Sequence, residues 1–330
     1  MIKKNQSRKN IIIGLFIVEA ILLFSLISIF LSPVFAEIGN NATVQTSLDV
    51  GNVYPEILNV SIDDDAGSVT LVANDTQKVY CIAVLRDFNG QEDLANATAE
   101  FFDTGTSFYG DTDDNNYHYT NNSCSITNDF GSYNSYTDDE YSALANCSFD
   151  VWYYANSDTW NCSVYVNDSI GWDDQEYDTI FMSELLSIGL PDFINYGEVN
   201  ATEVSEEQIA NVTNYGNVEL NLSLQGYAIS EGDDLAMNCT LGSIGTIPIE
   251  YEKYNLSTST PGVLNLGEAD SFYENLSSSE IVKEFNLNYR KNDTENEAIN
   301  STYWRIYVPI GVAGTCEGNI IFGARTEAGN

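Results

Sequence analysis

Beyond residue 36 the chain alternates apolar and polar residues with a period of two, as in Cys147-Ser148-Phe149-Asp150-Val151 and Cys162-Ser163-Val164-Tyr165-Val166. Successive side chains of a strand point to opposite faces, so this period predicts strands with one face in a core. Strands are predicted over 43–50, 53–62, 67–73, 77–86, 96–102, 115–120, 123–128, 143–154, 159–167 and 176–182. Between them lie clusters rich in Asp, Asn and Gly, such as Asp87-Phe88-Asn89-Gly90. Short strands at this spacing imply a β-sandwich. Helical periodicity is nearly absent.

The texture changes at Leu185-Leu186-Ser187-Ile188-Gly189-Leu190-Pro191, and further strands are predicted over 193–200, 206–214, 217–227, 235–240, 244–250, 280–289, 301–309 and 317–324. The expected fold is all-β, with one sandwich over 37–182, a linker over 183–191 and a second sandwich over 192–330. Within the second, Asn214-Tyr215-Gly216-Asn217 separates two alternating runs and predicts a hairpin.

Residues 1–36 differ. Lys3, Lys4, Arg8 and Lys9 form a basic head before an apolar stretch over residues 11–31, long enough to span a bilayer as a helix. Ser32-Pro33-Val34-Phe35-Ala36 supplies a helix breaker and the small residues of an export-peptidase site. Two readings stay open, a signal peptide cut after Ala36 and an uncleaved N-terminal transmembrane anchor. Both put residue 37 onward outside the cell, because the positive head stays in the cytoplasm. A type IV pilin cleavage site at Gly14, with Glu19 five residues on, is a weaker alternative, since Ile11-Ile12-Ile13 stands where basic residues normally precede the glycine.

Composition narrows the function. The chain carries 12 Lys+Arg against 49 Asp+Glu, a formal charge of −37. Nucleic acid and anionic lipid surfaces are excluded as partners, because phosphate binding needs a basic patch; membrane contact is expected only through the N-terminal segment. With 43% hydrophobic residues, this is no disordered acidic tail. All six cysteines follow the export segment, and outside the cell an even number reads as disulfides. Cys239 and Cys316, alone in the second sandwich, are expected to pair. The four in the first allow three connectivities that sequence does not choose between; Cys81 and Cys162 lie in apolar strands able to face one another, which leaves Cys124 with Cys147.

Asn-X-Ser/Thr acceptor triplets, which mark exported surfaces, begin at Asn41, Asn59, Asn74, Asn96, Asn121, Asn146, Asn161, Asn167, Asn200, Asn211, Asn221, Asn238, Asn255, Asn275, Asn292 and Asn300. Covalent N-glycans are the expected partners. Three triplets enclose a cysteine: Asn146-Cys147-Ser148, Asn161-Cys162-Ser163 and Asn238-Cys239-Thr240. In a strand the thiol then faces inward for cross-linking, while the amide on the opposite face meets water.

Residues 79–90 and 160–168, around Cys81 and Cys162, resemble the B and F strands of immunoglobulin-like modules in prokaryotic surface proteins, and residues 303–324 look like the closing hairpin of such modules. With its field of acceptor triplets the exported chain is similar to archaeal secreted cell-surface glycoproteins. The resemblance implies immunoglobulin-like sandwiches at the cell surface. The sequence departs from it in lacking a tryptophan at the usual strand C position and in the long separation of Cys81 from Cys162.

Catalytic signatures are missing. No Gly-X-Ser-X-Gly motif is present, and the single histidine, His118, has no serine beside it and reads as a half-buried strand residue. Nothing singles out a carboxylate pair for glycoside hydrolysis. Asp111, Asp113 and Asn115 offer oxygens at alternating positions, like the start of a calcium loop, but Asn116 and Asn122 replace the turn glycine and the terminal glutamate. Calcium is the one candidate cofactor there, and a solvated acidic turn is the alternative. The sequence therefore reads as a non-enzymatic surface glycoprotein with a structural or adhesive role, other surface proteins or glycans being its candidate ligands. The alternatives are a carbohydrate-binding or calcium-dependent ligand-binding module, and a filament subunit that donates a strand from Ala42–Val50 to its neighbour.

Overall fold

The structure, a computed structural model, describes residues 43–326. The expected signal or anchor over 1–36, its stretch 11–31 and Asn41 lie outside the described residues. Among the described residues no helix is long and apolar enough to cross a membrane. The chain divides into two units after Gly51. In the first, residues 43–51 carry no regular structure and are exposed, so the strand predicted over 43–50 does not form. A single extended segment has no ladder to join.

The second unit, Asn52–Asn330, is compact and all-β. Its first half contains β1 (Glu56–Ile62), β2 (Ser68–Val69), β3 (Thr76–Arg86), β4 (Leu94–Asp103), β5 (His118–Asn121), β6 (Ser125–Thr127), β7 (Ser132–Tyr133), β8 (Tyr136–Thr137), β9 (Ser142–Trp152), β10 (Thr159–Asp168) and β11 (Asp173–Met182). Nine of them build an immunoglobulin-like sandwich from a four-stranded sheet, β1-β3-β9-β6, and a five-stranded sheet, β2-β11-β10-β4-β5, while β7 and β8 pair as a separate ribbon. Alternation decides what each strand buries. Val79, Cys81, Ala83 and Leu85 of β3, with Ala145, Cys147, Phe149 and Val151 of β9, meet Ala97, Ala99 and Phe101 of β4 and Trp160, Cys162, Val164 and Val166 of β10 in one core. Each such large side chain stabilises the sandwich by roughly 1.5–3 kcal/mol on full burial. The core tryptophan comes from β10, two residues before Cys162, and packs on Phe101 with ring centroids 4.9 Å apart.

The second half adds β12 (Ile188–Gly189), β13 (Gln208–Asn214), β14 (Leu220–Tyr227), β15 (Leu235–Gly242), β16 (Thr246–Pro248), β17 (Glu252–Asn255), β18 (Glu274–Asn275), β19 (Ile281–Leu287), β20 (Ile299–Ile306), β21 (Val312–Glu317) and β22 (Asn319–Arg325). The sheet β12-β13-β20-β17-β18 packs on two three-stranded sheets, β19-β14-β22 and β16-β15-β21, around Trp304. One short helix, α1 (Leu266–Phe272), starts at a capping box made by Asn265 and Glu268. Seven residues are too few to register as a helical period. The strand predicted over 193–200 is absent.

The hairpin expected at 214–217 is also absent. β13 pairs with β12 and β20, whereas β14 pairs with β19 and β22, so the chain changes sheet at this corner. Side chains shape it. Asn214 Oδ1 accepts from the Gly216 amide at 2.8 Å, and its Nδ2 donates to the carbonyls of Val218 at 2.8 Å and Asn288 at 3.0 Å. A Cβ on Gly216 would stand 2.0 Å from the Leu185 carbonyl oxygen, so only glycine lets residues 183–191 pass. That stretch is no free tether, because its Ile188–Gly189 forms the edge of the second sandwich.

Candidate functional site

The structure joins Cys81 to Cys162, Cys124 to Cys147 and Cys239 to Cys316. The first bridge crosses from β3 to β10 and so ties the two sheets of the first sandwich together. The third links directly opposed residues of β15 and β21. Around two of these sulfurs the strand pleat separates two environments: Cys147 and Cys239 are buried, while Asn146 and Asn238 are exposed. Asn161 is half-buried beside buried Cys162, and its Oδ1 lies out of solvent with no hydrogen-bond partner.

Of the other acceptors, Asn74, Asn200, Asn211, Asn275 and Asn300 are exposed, and Asn59, Asn96, Asn121, Asn167, Asn255 and Asn292 are half-buried. Asn221 differs. It is buried, its Oδ1 accepts from the amides of Phe285 at 2.8 Å and Asn286 at 3.1 Å, and it therefore serves the bulged pairing of β14 with β19 rather than facing water. Sequence alternation missed this because both neighbours, Leu220 and Leu222, are buried as well. Asn96, Asn161 and Asn167 share the outer face of the five-stranded sheet with Tyr165 and Tyr177, as the register of β4, β10 and β11 dictates.

Asp111, Asp113 and Asn115 are drawn to separate protein partners. Asp111 Oδ2 accepts from the Phe108 amide at 2.8 Å, and Asp113 Oδ1 accepts from Thr120 Oγ1 at 2.7 Å. Asn115 Nδ2 donates to Asp293 of the second sandwich at 2.9 Å. His118 is fully buried, not half-buried, with Nδ1 3.1 Å from Asp113 and Nε2 3.2 Å from Glu100. The loop thus belongs to a junction between the sandwiches. There the Tyr154 hydroxyl donates to Asp293 Oδ1 at 2.8 Å, and the Arg290 guanidinium lies 4.3 Å from the Tyr154 ring centroid. Nothing in the sequence pairs residues this far apart.

A cleft of about 260 Å³ in the second sandwich is lined by Leu190, Phe193, Tyr196 and Glu252 among others. Burial pushes the Glu252 carboxyl up to about 7, against the Tyr196 hydroxyl that donates to it at 2.9 Å. Lys253 is equally buried and pairs with Asp270 at 2.5 Å. Among the described residues one acidic trio, Asp87, Asp93 and Asp168, brings carboxylate oxygens within 4.8 Å of one another.

No protein-family model matches the sequence, and no curated protein matches it. Among solved structures the chain is similar to the chaperone–tip adhesion subunit pre-assembly complex from archaic chaperone-usher Csu pili of Acinetobacter baumannii, at 10% identity, TM-score 0.36, 78% of this chain and 96% of that one. It is also similar to carbohydrate-binding modules from the β-sandwich superfamily, at 10% identity and TM-score 0.24 over 83% of this chain and 98% of that one. An α-L-rhamnosidase from Dictyoglumus thermophilum matches at 9% identity and TM-score 0.22, over 84% of this chain and 28% of its own. Likeness at this level assigns no function.

Proposed function

We propose that this is an exported, N-glycosylated cell-surface protein with a structural or adhesive role and no catalysis of its own. The observation that carries the reading is the arrangement at Asn146-Cys147 and Asn238-Cys239, where a buried cross-linked sulfur stands next to a water-facing acceptor amide. Among the described residues no cysteine is left free, which suits an oxidising compartment. The large negative charge keeps such a surface soluble and repels nucleic acid. Intact-mass and glycopeptide analysis of protein from its native host tests the reading. It requires glycans on exposed acceptors and a mature chain recovered from the cell exterior; a cytoplasmic, unmodified chain contradicts it.

A second reading, a filament subunit, is favoured by one observation. Val44, Leu48 and Val50 alternate with polar residues along the sequence and are 80%, 84% and 76% exposed. Such a segment suits addition to a sheet edge of another copy. Electron microscopy of native material separates the readings, and Leu48→Asp with Val50→Asp is expected to abolish any filaments.

A further inference from the structure

We propose that Asp87, Asp93 and Asp168, at one end of the first sandwich, bind a calcium ion. Asp87 follows β3 of the four-stranded sheet. Asp93 closes the helical turn Gln91–Asp93 that leads into β4, and Asp168 ends β10, both strands of the five-stranded sheet. An ion among them therefore clasps the two sheets.

One oxygen from each carboxylate lies within 4.8 Å of the others, and Asp87 and Asp168 are 0% and 1% exposed. Like charges so close and so poorly hydrated repel unless a cation sits among them. Among the described residues no lysine or arginine pairs with any of the three; the adjacent Arg86 is engaged by Glu56.

Asp87 supplies the independent observation. Its Oδ1 accepts from the Asn89 amide at 2.8 Å, whereas its Oδ2 is buried with no hydrogen-bond partner. A carboxylate oxygen in that position is costly, and a metal ion gives it a partner. The other two carboxylates are held in place. The amides of Trp172 and Ile170 donate to Asp168 Oδ1 at 2.8 and 3.0 Å, Asn52 Nδ2 donates to Asp168 Oδ2, and the Ser169 hydroxyl donates to Asp93 Oδ1. The pairing of β10 with β4 shifts register between Asn167 and Asp168, where Asn96 and Leu94 are the successive partners, so the ladder is irregular at this end of the sandwich.

Three hard oxygen donors select calcium or magnesium over zinc or copper. Calcium, with six to eight oxygens at about 2.3–2.6 Å, tolerates donors up to about 5 Å apart. Magnesium at about 2.1 Å needs them within about 4.2 Å in a strict octahedron. An irregular trio drawn from a loop, a turn and a strand end suits the larger ion, with water completing its shell.

The test uses the full-length chain in mild detergent, stripped with EDTA and titrated with calcium chloride by calorimetry and thermal melting. One ion is expected to bind with a Kd on the order of 10⁻⁴–10⁻³ M, magnesium binding more weakly. The melting midpoint is expected to rise roughly 3–6 °C at tenfold excess over Kd. Asp93→Asn, on a half-exposed turn, removes one of the three mutually repelling charges, so it should raise the metal-free midpoint slightly and weaken calcium binding by about tenfold or more. Asp87→Asn keeps the Oδ1 acceptor but removes a charge, so it should raise the metal-free midpoint while losing the calcium response. Asp111→Asn should respond like the parent. The proposal is overturned if the parent chain shows neither heat nor shift at about 10 mM calcium, or if Asp93→Asn and Asp87→Asn both respond as the parent does.

Discussion

Asn217 of the second sandwich donates from its Nδ2 to the carbonyl of Ala155 in the first, 2.9 Å away and 62 positions earlier in the chain. The same nitrogen donates to the Ser183 carbonyl at 3.1 Å, and Oδ1 accepts from the Leu185 amide at 2.7 Å. One buried amide thus fastens both sandwiches and the segment between them. Tyr215 packs edge-on against Tyr153 beside it, with centroids 5.8 Å apart.

Asn217→Ala is therefore expected to strand three backbone groups and cost about 2–4 kcal/mol. Urea denaturation measures the loss, and limited proteolysis should show new cutting within 183–191. Unchanged stability and protection would mean that the junction is held by other contacts.

The disulfides should differ in what they contribute. Cys81–Cys162 closes 81 residues and Cys124–Cys147 only 23. Chain entropy then assigns them about 4.5 and about 3.4 kcal/mol at 25 °C. Guanidinium unfolding of Cys81→Ala/Cys162→Ala should show the larger loss, since both pairs are buried and the loop length is what separates them. The reverse order would place the two sheets' attachment elsewhere.

Stability should fall as pH rises through the window from about 4.5 to about 7. Glu252 titrates near its ordinary value of 4.5 when unfolded and at about 7 in the fold. Between those values the native state binds more protons, so the protonated carboxyl's full contribution below 4.5 is lost as pH climbs past 7, by about 3 kcal/mol at most. Glu252→Gln keeps an acceptor for Tyr196 and should flatten this part of the profile. Identical slopes for parent and variant would contradict the burial of an uncompensated carboxyl.

Asn221 should stay unmodified in glycopeptide maps that show glycans on Asn74, Asn146 or Asn238. Replacing it with alanine leaves the Phe285 and Asn286 amides without their acceptor and is expected to cost about 1–3 kcal/mol. A glycan found on Asn221 would mean that β14 and β19 do not pair as described.

The period of two made the long strands legible: β3, β9 and β10 begin and end within a few residues of their expected bounds, because each buries one face against a shared core. What alternation misses is the sheet a strand joins. The Asn214–Asn217 corner has the composition of a hairpin turn, yet the buried side chains of Asn214 and Asn217 bind backbone from distant segments, and such partners leave no mark on local pattern. β17 has no counterpart among the expected strands, and the closing hairpin expected over 303–324 does not form, because β20 pairs with β13 and β17, β21 with β15 and β22 with β14. Asp87, Asp93 and Asp168 each look like ordinary turn residues, and only the meeting of the β3–β4 connection with the end of β10 makes them a cluster. Asp111, Asp113 and Asn115 do share a recognisable spacing, but the loop's contacts run to Thr120 and Asp293.

The most direct test is one spectrum. Protein from the native host, digested without reduction, should yield a peptide in which Cys147 is cross-linked to Cys124 while the adjacent Asn146 bears a glycan. That single species would record a buried sulfur and a solvent-facing amide on neighbouring residues. Recovery of the same peptide with a free thiol and a bare asparagine would contradict the account.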